Sequence, residues 1–91
     1  MQHANTKKAQ TIIKILAQIL KEKRIQQNKS QRILADEYDI PRSLLSRIES
    51  GKNEPMLISL WTICEALDIK PSELFKNIEE QLPDNFSITE K

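Results

Sequence analysis

One glycine, one cysteine, one histidine and one tryptophan are all that the 91 residues hold of those four types. Each scarcity excludes something. A lone cysteine makes neither an internal disulfide nor a zinc cluster, which removes secreted disulfide scaffolds and predicts a reducing, cytoplasmic setting. A lone glycine cannot build a glycine-rich phosphate loop. The single histidine, His3, falls in a polar leader and makes a poor catalytic base. Only 4% of the residues are aromatic, which together with the missing glycine argues against strands and tight turns and for helices. No apolar run approaches the ~18 residues of a membrane span. The N-terminus lacks the apolar stretch and small-residue cleavage site of a signal peptide. No paired carboxylates, nucleophile–base set or metal-ligand spacing appears, so neither an enzyme nor a metal or other cofactor is expected.

What is present starts with charge. The net charge is +1, but it is unevenly spread. Residues 1–29 carry seven Lys or Arg and one Glu, residues 30–55 four basic and five acidic side chains, and residues 56–91 three basic and seven acidic ones. One end is basic and the other acidic. The plain reading is two solvated faces; the sharper one is a polar partner approaching from the basic end.

Apolar periodicity predicts five helices in one small domain. Residues 1–8 read as a flexible leader, 9–82 as the domain and 83–91 as a loose C-terminal tail. In the first helix, from residue 9 to about 27, Ile12, Leu16, Ile19 and Leu20 keep 3–4 spacing, and Lys7, Lys14, Lys21 and Arg24 fall on the other face. Ser30 is placed to cap a second helix over residues 31–38, with Ile33, Leu34 and Ala35 inward. A third spans about 41–50 and stops at Gly51, where a left-handed residue suits a helix end. A fourth over 57–67 places Leu57, Leu60, Ile63, Cys64 and Leu67 at core spacing. Pro71 opens a fifth that runs to about residue 81. Cys64 reads as a buried structural thiol. Trp61 beside the stripe fits either the core or a subunit contact.

The third helix has two unlike sides. At ~100° per residue, Arg42, Ser43, Ser46, Arg47 and Ser50 lie within an arc of about 140°, with no acid among them. Leu44, Leu45 and Ile48 lie opposite, and Glu49 sits on the border. On the wheel alone, such a face is either ordinary solvated surface or a surface that enters a DNA major groove. The groove admits one helix, and arginine can donate twice to guanine.

At this point the chain resembles the Xre family, the helix-turn-helix domain of phage lambda-type repressors. The resemblance is carried by Ser30-Gln31, Leu34-Ala35, the turn Asp39-Ile40-Pro41, the run from Arg42 to Glu49, Gly51-Lys52, Pro55 and Ala66-Leu67, and covers about residues 16–75. It implies an all-α, compact five-helix domain with helix 3 as the recognition helix. Arg42, Ser43 and Arg47 would be nearest base edges. Gln31, Ser46, Lys52 and Asn53 would meet phosphates, and Gln31 could also brace Arg42. Arg24 and Glu49 would form an ion pair between helices 1 and 3; otherwise Glu49 is an acid left exposed at a helix end. Relatives usually have glycine where this chain has Asp39 and Asp68, residues that tolerate left-handed backbone at some cost. Pro41 replaces the usual Ser or Thr cap.

The expected function is sequence-specific binding of double-stranded DNA by a transcriptional regulator, without a small-molecule ligand or a membrane. A homodimer would read a palindromic operator. Leu74, Phe75 and Ile78 form an apolar stripe on helix 5 that either makes the dimer contact or closes the core. A stand-alone domain of this size resembles the controller proteins of restriction–modification systems, small phage-type repressors and antitoxins, and the sequence does not separate them. The alternative from another class is a helical protein-interaction module that keeps the fold without the DNA site.

Overall fold

The computed structural model describes residues 6–89. His3 and the rest of residues 1–5 of the expected leader, with Glu90 and Lys91 of the expected tail, lie outside the described residues. Five helices follow in order: α1 (Lys7–Gln26), α2 (Gln31–Glu37), α3 (Arg42–Glu49), α4 (Leu57–Ala66) and α5 (Pro71–Glu80). No strand occurs among the described residues, and the chain is all-α.

Helix starts follow local chemistry. Thr6 Oγ1 accepts from the Ala9 N–H at 3.1 Å, so α1 begins two residues before the first apolar period and takes in Lys7 and Lys8. Ser30 Oγ accepts from the Ile33 N–H at 3.1 Å and opens α2. Pro41 precedes α3 with no side-chain cap; its fixed φ suits a helix start without one. At α5, Glu73 Oε1 reaches back to the Lys70 N–H at 3.4 Å, beside Pro71 at the first helical position.

The first four helices stop by one device, a residue with positive φ just past the last turn. These are Asn28 (57°), Asp39 (54°), Gly51 (73°) and Asp68 (54°). After α1, α2 and α4 the next N–H closes the turn, from Lys29 to Arg24 O, Ile40 to Ala35 O and Ile69 to Cys64 O. The free carbonyls of the last turn are thereby satisfied. Ile40 and Ile69 fold down into the core at the same step. Asn and Asp tolerate the left-handed region better than other side chains, which is how four such stops coexist with one glycine.

Every helix contributes a side chain wholly shielded from solvent: Leu20, Leu34, Leu45, Ile63 with Cys64, and Leu74. Burying a Leu or Ile stabilises by about 1.5–3 kcal/mol. Burial also pushes the Cys64 thiol above its usual pKa, so it stays protonated and inert. α3 packs on both α1 and α2, and α5 on both α1 and α4.

Two side chains depart from the expected core, and Trp61, open between core and contact, lies at the surface. Ile33 is 42% exposed, because Leu34 and Ala35 already fill the inward side of the short α2. Leu57 is 65% exposed, because the core ends at Leu60, one turn later. It overhangs the rim of an open apolar hollow of about 400 Å³ between α1, α4 and α5. Trp61 is half-exposed, with its indole N–H on Glu65 Oε2 at 3.2 Å. Past α5 the chain turns back rather than trailing away. Lys8 Nζ donates to Ser87 O at 2.7 Å, and Ile88 forms part of the wall of the hollow.

A Cβ added at Gly51 would lie 3.6 Å from Ala17 Cβ and from Lys14 Cγ, which is ordinary contact, so backbone sign rather than space is the constraint there. Gly51→Ala should therefore cost about 1–2 kcal/mol, and Gly51→Asn clearly less, in urea unfolding. Equal losses for both would place the constraint in crowding instead.

Candidate nucleic-acid interface

The exposed side of α3 carries Arg42, Ser43, Ser46 and Arg47, with Ser50 just beyond, while Leu45 and Ile48 are buried and Leu44 is half-buried. Neither Arg42 nor Arg47 has an ion pair or a side-chain hydrogen bond among the described residues. Ser50 Oγ donates to Arg47 O at 2.8 Å, so that hydroxyl proton is turned onto its own helix. Lys52 and Asn53 follow in the exposed loop after Gly51. Two unpaired guanidiniums and the hydroxyls of Ser43 and Ser46 thus lie on one strip. Such a strip offers donors to base edges and phosphates without first breaking an internal pair.

Two other helices hold this strip in place, and Glu49 is their meeting point. Although it ends α3, Glu49 is only 8% exposed. Its Oε2 accepts from Arg24 Nε at 2.7 Å and its Oε1 from Arg24 Nη2 at 2.9 Å. Gln31 Nε2 donates to the same Oε1 at 3.1 Å. Arg24 Nη1 also donates to Lys29 O at 2.6 Å, at the turn before α2. One planar guanidinium therefore ties α1 to α3 by a two-bond fork and to the α1–α2 turn by a third bond. Gln31 is directed at Glu49, with no hydrogen bond to Arg42.

Of the three residues on the α5 stripe, Leu74 and Ile78 lie in the core and only Phe75, about half-exposed, presents surface. The larger exposed apolar surface is on α4 and just before it: Met56, Leu57 and Ile58 are each more than half-exposed, with Trp61 one turn on. Periodicity did not mark this surface as exposed, because Leu57 and Trp61 fit the core stripe equally well. Two further contacts also escaped sequence reading. Lys29 Nζ pairs with Glu37 Oε1 at 2.7 Å and sits 5.7 Å over the Tyr38 ring. The Glu37 hydrogen bond raises the Lys29 pKa. Gln27 Nε2 donates to Leu67 O at 2.6 Å, joining the ends of α1 and α4. These partners lie eight and forty positions apart, beyond any helical spacing rule. No three His, Cys, Asp or Glu side chains among the described residues could together hold a metal ion.

The family described as helix-turn-helix matches residues 20–74. The chain is 40% identical to control protein C.MunI of Mycoplasma sp over 52 residues, which is 57% of this chain and 70% of that protein. No solved structure matches the chain.

Removing the Glu49 carboxylate leaves Arg24 and Gln31 without their shared acceptor. Glu49→Ala should lower stability by about 3 kcal/mol in denaturant unfolding. A loss below about 0.5 kcal/mol, the size of an ordinary surface change, would show that the three bonds do not hold α3.

Proposed function

Because the chain belongs to the helix-turn-helix family of DNA-binding regulators, we propose that it is a sequence-specific transcriptional regulator that inserts α3 into the DNA major groove. The observation that carries this is the α3 strip: two unpaired arginines and exposed serines, free of acids, inside the matched segment. Arg42, Ser43 and Arg47 are the base-reading residues. Gln31, Ser46, Lys52 and Asn53 hold the phosphates. Arg24 and Glu49 act as positioning residues, since they set the angle of α3 without reaching the partner. The name of the relative, a control protein, favours a controller of a restriction–modification system over an antitoxin. A cytoplasmic location follows from that role.

The proposed protein binds as a homodimer on a palindromic operator. With Leu74 and Ile78 in the core, the subunit contact passes to Phe75 together with Met56, Leu57, Ile58 and Trp61. Five large exposed apolar side chains exceed the scattered surface residues usual on a monomer. Burying them on a second copy removes them from water in a two-fold contact.

Selection of bound sites from random duplex DNA tests the whole reading. It should return an inverted repeat with half-sites about one helical turn apart, and recovery of no preferred sequence would overturn the proposal. On the selected site, Arg42→Ala or Arg47→Ala should each cost about 1–3 kcal/mol and relax preference at one base pair. A loss equal on all sequences would reassign that arginine to the backbone. Trp61 is the sole tryptophan, so its emission reports the subunit contact directly. Emission should shift on dilution, and Ile58→Asp should give the diluted spectrum at every concentration; a spectrum independent of concentration, with a monomer in sedimentation, would remove this dimer face.

A further inference from the structure

The strongly basic α1 has so far supplied only Arg24 to the site. Arg24 belongs to a stripe. Lys14, Ala17, Lys21 and Arg24 recur at 3–4 spacing and share one side of α1. Three members of that stripe are placed against α3 and its end. Arg24 grips Glu49 in the last turn of α3. Ala17 Cβ lies 3.6 Å from the point where a Gly51 side chain would begin, and Lys14 Cγ lies at the same distance. Lys21 lies one turn from both Ala17 and Arg24, on the same side of α1. Lys14 and Lys21 are exposed, and neither has an ion pair or side-chain hydrogen bond among the described residues.

We propose that Lys14 and Lys21 form a second phosphate-binding strip, running beside the end of α3 and continuous with Lys52. This rests on the reading of α3 as the DNA-facing helix. The occupant is the DNA backbone because the two lysines extend a cationic edge that already contains Lys52. The stem of Lys14 lies against the Gly51 turn, next in sequence to Lys52. Nearby acids do not cancel the strip. Glu49 is consumed by Arg24 and Gln31. Glu22, the one acid on α1, accepts from Gln18 Nε2 at 2.9 Å and has no ion pair with Lys21 or Lys14. Glu54 turns to the apolar hollow on another side of α1. Lys14 precedes the segment matched by the helix-turn-helix family, and Lys21 lies within it.

Phosphate contacts carry charge but no sequence information, which sets the expected signature. Lys14→Ala with Lys21→Ala should reduce the slope of log affinity against log salt by about 0.9 per lysine for each bound protomer. The difference between wild type and the double variant should then shrink roughly tenfold per protomer between about 50 and 200 mM salt. Affinity should fall equally on the selected site and on unrelated duplex, with base preference unchanged. Both positions are exposed and mid-helix, where alanine is the best helix former, so unfolding curves should match wild type. Lys14→Arg with Lys21→Arg should restore the slope. Lys76→Ala on α5 removes an exposed charge elsewhere and should leave the slope alone. An unchanged slope in the double alanine variant, beside a wild type that binds steeply, would overturn the strip and leave α3 as the reader. An equal fall in Lys76→Ala would reduce the effect to net charge and overturn it as well. A wild type that binds no duplex at low salt would overturn the parent reading and the strip together.

Discussion

A single carboxylate organises the presentation of α3. Glu49 is nearly buried at the end of a helix of only eight residues, and it accepts three hydrogen bonds from two other elements. So short a helix has little stability of its own and must be held by its surroundings. Leu45 and Ile48 give it hydrophobic purchase on the core, but apolar contact is not directional. The Arg24 fork is directional. It sets the roll of α3 about its axis, and the bond from Arg24 to Lys29 O sets the start of α2 by the same guanidinium. A buried ion pair often contributes little net stability against an apolar alternative. Its value here lies in orientation: which residues of α3 face outward follows from where Glu49 is held.

The helix ends show a related economy. The four connections that join α1 to α5 require the chain to change direction, and each passes through a left-handed residue. Glycine is the usual solution, and this chain uses it once. Asn28, Asp39 and Asp68 fill the other three positions, and their turns are closed by backbone bonds and, at two of them, by an isoleucine that enters the core. At Asp39 and Asp68 the strain of a non-glycine residue is thus opposed by burial in the very next position, and at Asn28 by the closing Lys29 bond alone. Gly51 lacks such a partner, since Lys52 goes outward to solvent. That contrast gives a physical reason for the one glycine standing at the end of α3.

Much of the fold was legible in the amino-acid order. Periodicity and capping residues located all five helices, with ends differing from the structure by no more than two residues. The outward side of α3 could be read from a wheel, because Leu45 and Ile48 have no alternative to burial. Reading became unreliable where two apolar residues compete for one inward position. Ile33 lost to Leu34 and Ala35, and Leu57 overshot the core, so both face solvent. The α5 stripe was ambiguous for the opposite reason: Leu74 and Ile78 suit a core or a contact equally, and only packing against α1 and α4 separates them from Phe75. Polar partners distant in sequence, such as Gln27 with Leu67 O, follow no spacing rule at all. The Arg24–Glu49 pairing, 25 positions apart, was supplied by family resemblance and not by any property of the two residues alone.

Some cations of the molecule are neutralised within the fold, and others are left unpaired on the side of α3. Arg24 and Lys29 are paired with Glu49 and Glu37, and both act within the fold. Arg42, Arg47, Lys52, Lys14 and Lys21 carry no partner among the described residues and lie along α3, its loop and the facing side of α1. Exposed lysines and arginines are common, and exposure alone means little. Unpaired cations gathered on one side are different, because each raises the cost of its neighbours by like-charge repulsion. A fold with 13 acidic side chains had the means to relieve that repulsion. Seven of them fall in the last third of the sequence. The repulsion left in place is what a polyanion would relieve on binding, and release of its counterions would add to the gain.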